Sequence, residues 1–329
     1  MKISNRLWRQ LCAVFSLVLC ASTITGAALA QPYPNKAIRL IVAAPPGGTA
    51  DYLSRILGQN LASTFGQQVI IDNRGGANGI IGENIAAKAS PDGYTLLVVP
   101  SSYVINPFLY SKVGYDLVKD FAPITQFAAG AWFVVAHPSV PVKTIKEFIA
   151  FAKSKKGALT YASTGTGSVG HLGTELLRTL AGFDAVHVPY TGTAPTMVAL
   201  MAGQADASIV PAIAVVPQAK AGKLKALAVT LLQRSVLLPD VPTVAESGFP
   251  GFEVNGWQGL LAPAGTPREV TARLYQEVSR ILKLPDVRDR MVASGSDPVG
   301  SPPEEFAAYI KVETTKWAKV IKQSGARVD

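Results

Sequence analysis

IRLIVAAPPGGTADYLSRILGQNLASTF (Ile38–Phe65) and LTYASTGTGSVGHLGTELLRTL (Leu159–Leu180) decide the fold. Each begins as a β-rich run, passes through a turn of Pro, Gly, Ser and Thr, and continues at helical spacing. In the first, Leu53, Ile56, Leu57, Leu61 and Phe65 share one helical face. Strand, glycine turn, helix is the repeating unit of an α/β sheet. The turn aims free N–H groups and the positive end of a helix at one spot, beside the strand end where ligands of open sheets sit. Two such turns in two halves of the chain could grip an oxyanion from both sides. The alternative is that glycine merely permits a tight strand-to-helix turn.

Working outward, the alternation continues. Val69–Ile71 and Tyr94–Val99 read as strands, with a Gly75–Gly79 loop and a helix to about Ala89 between them. Further strands are expected at Ala185–Val188, Leu224–Val229 and Trp257–Ala262, and Trp132–Ala136 is an apolar run. Helices are expected near Pro195–Met201, over Pro267–Leu284 and over Pro303–Gln323. Thr144–Glu147, Thr266–Glu269 and Ser301–Glu304 have the spacing of capping boxes. The chain of 329 residues, 48% hydrophobic and 16% charged, is too apolar for disorder and long enough for about two domains.

Residues 1–30 read as a cleaved signal peptide: Lys2, Arg6 and Arg9, an apolar run from Leu11 to about Ile24, then Ala28-Leu29-Ala30. Leu19 before Cys20 argues against a lipoprotein, and Arg6 and Arg9 are not adjacent as a twin-arginine signal requires. Cleavage after Ala30 removes both cysteines and lowers the net charge from +9 to about +6. An exported chain with a modest positive balance favours anionic small molecules. No basic block with interleaved aromatics points to nucleic acid.

Other chemistries find little support. Gly165, Gly167 and Gly170 spell G-x-G-x-x-G, yet the next strand ends Val188-Pro189-Tyr190 without the acid a dinucleotide ribose needs. Ser168 and His171 could form a nucleophile and base, but no G-x-S-x-G elbow surrounds them. His137, His171 and His187 lack zinc-ligand spacing, and Asp51, Asp72, Glu83 and Asp206 suggest no acid–base pair. No metal or organic cofactor is implied. Trp132 and Phe133 read as core, unless their run crosses between lobes, in which case Trp132 would face the cleft.

Longer strings carry a resemblance. They include YPNKAIRLIV and PPGGTAD (Tyr33–Asp51), SPDGYTLL (Ser90–Leu97), INPFLY (Ile105–Tyr110), VHVPYTGTAP (Val186–Pro195), LPDVPTVAESGFPGFEV (Leu238–Val254), GLLAPAGTP (Gly259–Pro267) and the tail WAKVIKQSGARVD (Trp317–Asp329). Together they make the chain resemble the extracytoplasmic solute-binding receptors of tripartite tricarboxylate transporters, the Bug family. The resemblance implies a two-lobed α/β periplasmic binding protein of type 2, a Venus flytrap, each lobe a mainly parallel sheet flanked by helices. Lobe 1 would comprise residues 31–127 and 252–329, and lobe 2 residues 128–251, with crossings near Thr125–Gly130 and Gly251–Trp257.

By position, the resemblance assigns ligand contacts to Pro46, Gly47, Gly48, Thr49, Asp51, Ser101 and Ser102 in lobe 1. In lobe 2 it assigns Thr164, Gly165, Thr166, Gly167, Ser168, Tyr190 and Thr191, and Trp132 joins them on the crossing argument. The implied function is a periplasmic, monomeric receptor that delivers a small organic carboxylate to the membrane subunits of such a transporter. An exported Ser/His hydrolase and a sensor for a membrane kinase are the alternatives. Where family members carry a polar Asp-Asn pair, this chain has Val210 and Pro211. With Trp132 added, that departure favours an aromatic or aliphatic acid over an amino acid or citrate.

Overall fold

The computed structural model describes residues 33–328. The signal-peptide reading of residues 1–30 lies outside the described residues. The chain divides into the units Met1–Asn35 and Lys36–Asp329; everything below concerns the second.

The first sheet starts as the opening motif predicts. β1 (Ile38–Val42) is buried except at Arg39, as a strand covered on both faces must be. It leads to α1 (Thr49–Phe65), closed by Gly66 in the left-handed conformation at φ 64°. β2 (Val69–Asn73), α2 (Ile80–Ala87), β3 (Thr95–Pro100), the short α3 (Asn106–Leu109) and the long β4 (Phe121–Gly130) follow.

The chain then enters a second sheet with β5 (Trp132–Ala136), α4 (Ile145–Ser154), β6 (Thr160–Ser163), α5 (Val169–Ala181), β7 (Val186–Pro189), α6 (Thr193–Met201), β8 (Ala207–Pro211), α7 (Ala212–Lys220) and β9 (Lys225–Val229). It returns to the first sheet through β10 (Gln258–Pro263), α8 (Arg268–Ile281), α9 (Pro285–Ala293), β11 (Ser296–Pro298) and α10 (Pro303–Ser324).

The strand orders are β11-β4-β10-β3-β1-β2 and β7-β6-β8-β5-β9. In the first sheet β1, β2, β3 and β4 point one way, and the returning β10 and β11 run against them. In the second, β6, β7 and β8 are parallel and the incoming β5 opposes β8 and β9.

Only Ala131 separates β4 from β5. There the two crossings lie side by side: Gly256 N–H donates to the Gly130 carbonyl (3.1 Å), and Gly130 N–H to Asn255 Oδ1 (3.1 Å). Behind them, Trp257 and Trp317, both fully buried, donate their indole N–H groups to Glu313 Oε2 at 3.3 and 3.0 Å. This ties the second crossing to α10.

Several local expectations differ from the structure. Thr144 caps its helix, accepting from Glu147 N–H, but Glu147 reaches back to Lys143 N–H, one residue before the cap, in place of the Thr144 N–H of a capping box. Thr266 and Ser301 do not cap. The helices start one residue later behind Pro267 and Pro302, Thr266 donates to the Pro263 carbonyl, and Ser301 Oγ accepts from Gln126 N–H. The expected Pro267–Leu284 helix ends at Ile281, and Pro285 starts a new one.

Candidate ligand-binding cleft

A cavity of about 520 Å³ lies between the carboxyl ends of β1 and β3 on one side and those of β6 and β7 on the other. From the first side its wall includes Pro46, Gly48, Thr49, Ser101 and Ser102. From the second it includes Thr164, Gly165, Thr166, Ser168, Tyr190 and Thr191. Trp132 stands in the wall at the crossing, while Phe133, its neighbour on the opposite strand face, is fully buried in the core. Pro211 also lines the cavity; Val210 is buried away from it.

Three residues assigned by resemblance stand outside the lining: Gly47, Asp51 and Gly167. All three build the turns instead. Gly47 N–H donates to Asp51 Oδ2 (2.9 Å), and Asp51 Oδ1 pairs with Arg55 at 2.9 Å. Burial pushes the Asp51 pKa up, but bonds from Arg55 and Gly47 outweigh it and hold the carboxyl below its usual range.

In the other turn, Gly167 N–H donates to His171 Nδ1 (3.0 Å). Ser168 Oγ accepts from the His171 backbone N–H (3.3 Å) as the cap of α5. Ser168 and His171 are therefore adjacent through backbone capping, and His171 Nδ1 is engaged by Gly167.

A stack of rings supports this second turn. His171 lies on His187 with centroids 4.0 Å apart, and His187 lies on Tyr161 at 4.9 Å. His187 Nε2 meets Ser163 Oγ at 2.6 Å, and Ser163 Oγ accepts from Gly165 N–H (3.2 Å). Burial lowers both imidazoles to about 4, His187 being lowered further by its neighbour, so both are neutral at pH 7. Tyr161 donates to Glu175 (2.7 Å), which Arg178 also holds. Burial works to raise the Glu175 pKa, but these bonds win and keep it below the usual range.

Five helices of eight or more residues begin at the cavity, through Gly48–Ala50 of α1, Gly79 before α2, Ser168–Val169 of α5, Gly192–Thr193 of α6 and Pro211 before α7. Their first-turn N–H groups have no intrahelical partner. No Lys, Arg, His, Asp or Glu occurs among the described lining residues. Thr49 Oγ1 and Gln258 Oε1 are buried at this wall with no hydrogen-bond partner in the protein.

Sequence reasoning passed over Gln258, Asn78, Tyr110, Gly256 and Val328, which the fold brings to the cavity from distant segments. Among the described residues no group of three or more His, Cys, Asp or Glu could hold a metal ion, and no helix is long and apolar enough to cross a membrane.

Known proteins share this architecture. A UPF0065 protein in the tcbD-tcbE intergenic region of Pseudomonas sp. (strain P51) is 37% identical over 95% of this chain and 93% of its own. Protein BugT of Bordetella pertussis is 32% identical over 97% and 98%. Among solved structures, R. palustris Rpa4515 with adipate superposes with a TM-score of 0.86 at 33% identity, covering 90% of this chain and 100% of the other. MatC from Rhodopseudomonas palustris with bound malate gives 0.82 at 34%, covering 88% and 100%. The fold is thus the two-lobed α/β fold of periplasmic binding proteins. Residues 53–326 match the model of the tripartite tricarboxylate transporter family receptor, and the chain belongs to that receptor family.

Proposed function

We propose that this chain is a periplasmic receptor that captures a small carboxylate between its lobes and delivers it to the membrane subunits of a tripartite transporter. The carrying observation is the cavity wall, where five helix starts converge and no charged side chain lines the space. Fixed peptide dipoles suit an anion, and they spare the desolvation that a buried lysine or arginine would cost. An amino acid's ammonium group would meet no carboxylate in this wall, so its burial would go uncompensated.

Adipate and malate in the related structures point to the same ligand class. Here Trp132, Tyr110, Val169 and several prolines line the rest of the space, favouring a mono- or dicarboxylate with an aromatic or aliphatic body. We assign residues 31–127 and 252–329 to lobe 1 and residues 128–251 to lobe 2. A carboxylate touching both lobes favours the closed form, and that differential affinity shifts the population. The protein then acts by binding and release, without turnover.

A thermal-shift screen of the chain lacking residues 1–30, stripped of carried-over ligand, tests this against a carboxylate panel. A ligand at 100 times its Kd adds about 2.7 kcal/mol. At this chain length that raises the melting temperature by about 4 °C. Stabilisation by one narrow class of acids, recovered unchanged in mass, is expected. Tighter binding of aspartate or citrate than of every aromatic or alkyl acid would refute the ligand class, and a consumed compound would refute the receptor reading.

A further inference from the structure

Across the cavity, one side chain of the first lobe bonds directly to the backbone of the second. Asn78 lies in the single turn Ala77–Gly79 between β2 and α2, with φ 55°, the left-handed conformation that asparagine tolerates better than most residues. Its Nδ2 donates to the Gly167 carbonyl at 3.1 Å. Gly167 belongs to the turn between β6 and α5, so this bond joins the two sheets' loops.

The amide is held ready from behind. Asn78 Nδ2 also donates to Asn106 Oδ1 (2.7 Å), while Asn106 Nδ2 donates to the Asn78 carbonyl (3.2 Å) and to Glu83 Oε2 (3.1 Å). Ser102 Oγ donates to the same Asn78 carbonyl (3.2 Å). Asn106 and Glu83 are completely buried, so the orientation of Asn78 is fixed by groups that themselves have little freedom.

The second lobe meets this arrangement with a glycine for a steric reason. A Cβ on Gly167 would stand 2.2 Å from Leu109 Cδ1 and 3.3 Å from Asn78 Nδ2. Gly167 does not line the cavity, and its N–H is committed to His171. Its approach to Asn78 and Leu109 therefore serves lobe-to-lobe contact.

We propose that Asn78 is a closure latch, a positioning residue whose bond to the Gly167 carbonyl holds the cleft shut around a bound carboxylate. The proposal rests on the two-lobed capture described above. The latch bond exists only when the lobes meet, so its loss should speed ligand escape and leave entry to the open form unchanged.

The test compares the wild type with Asn78→Gly, which suits the left-handed turn and removes only the side chain. Stopped-flow kinetics with adipate should show dissociation about 3- to 10-fold faster, the ratio one hydrogen bond of ordinary net strength produces, with association within twofold of wild type. Small-angle scattering should show a larger radius of gyration.

Unchanged dissociation and radius in Asn78→Gly would overturn the latch, as would equal slowing of association and dissociation. If the wild type binds neither adipate nor any other carboxylate, the receptor reading fails. The latch, which closes around a bound carboxylate, falls with it, whereas a wild type that binds beside an Asn78→Gly that releases no faster overturns the latch alone.

Discussion

Replacing Gly256 by Ala should deform the cavity without removing a hydrogen bond. A Cβ there would stand 1.9 Å from Trp132 Nε1, 2.8 Å from Cδ1 and 2.9 Å from Cε2, where ordinary contact begins near 3.4 Å. Neither backbone can yield easily. Gly256 is bonded to Gly130 across the crossing, and the Trp132 carbonyl accepts from Thr230 N–H (2.9 Å) and Oγ1 (3.1 Å). The start of α5 backs the indole, since a Cβ on Gly170 would lie 3.4 Å from Trp132 Cζ3. The ring must therefore swing into the cavity.

Overpacking of this kind costs about 1–3 kcal/mol. At roughly 1.6 °C per kcal/mol for a chain of this length, the melting temperature should fall by about 2–5 °C. Affinity for the carboxylate that the thermal-shift screen identifies should drop at least tenfold by calorimetry. Trp132→Ala removes the obstacle, so in that background Gly256→Ala should cost almost nothing, a coupling that a double-mutant cycle reads directly. The reasoning fails if Gly256→Ala melts and binds like wild type, or if its cost is the same with Trp132 gone.

Stability should depend on pH through groups with opposite signs. Burial raises the Glu83 carboxyl to about 7, so the folded state holds its proton longer and stability falls as pH rises from about 4.5 to 7. His171 and His187, lowered to about 4, act oppositely, and stability falls as pH drops from about 6.5 to 4. The two histidines outweigh the one carboxyl, so the melting temperature should climb from pH 4 and level off near 7. Glu83→Gln removes the opposing contribution and should steepen the climb between pH 5 and 7; an unchanged slope would refute the assignment. Thr144→Ala should cost about 1 kcal/mol and raise amide exchange in the first turn of α4. Ser301→Ala should instead expose the Gln126 amide to exchange, at a cost of about 1–3 kcal/mol, because its hydroxyl tethers β4.

The two glycine turns were legible because everything that makes them is local: a β-rich run, residues that permit the turn, and helical spacing. Trp132 was legible through a crossing argument, and the wide resemblance placed most of the cavity wall. What escaped reading arrives by topology. Gln258 reaches the wall because β10 inserts between β3 and β4, opposite Pro100, 158 residues earlier in the chain. β4 itself was hidden by Pro123, which the sheet accepts beside a register shift opposite Leu260 and Leu261. α7 was hidden by Pro217 inside it. The resemblance assigns Asp51 a ligand contact because it sits in the right string. In the structure its carboxylate accepts from Gly47 N–H and pairs with Arg55, neither of which sequence spacing displays.

That last detail exposes a device the two lobes share. Gly47 and Gly167 occupy equivalent places in their turns, with φ of +82° and +79°, a conformation that calls for glycine. Each donates its N–H to the side chain four residues on, in the first turn of the following helix: Asp51 in one lobe, His171 in the other. One acceptor is an anion held below its usual pKa, and the other is a neutral imidazole that accepts only while Nδ1 is bare.

Acid should therefore separate them. Near pH 4 His171 gains a proton against the adjacent His187 ring and Arg178, with Glu175 partly compensating and Tyr161 stacked beyond. Two donors then face each other at Gly167, while Asp51 stays ionised. Hydrogen exchange, corrected for its intrinsic pH dependence, should show Gly167 losing protection between pH 6 and 4 while Gly47 keeps it. Asp51→Asn, which retains one acceptor oxygen, should leave Gly47 protected, whereas Asp51→Ala should expose it at a cost of about 1–3 kcal/mol. Equal loss at both glycines on acidification would mean that the lobes open as wholes, and that the acceptor's chemistry does not decide which turn fails first.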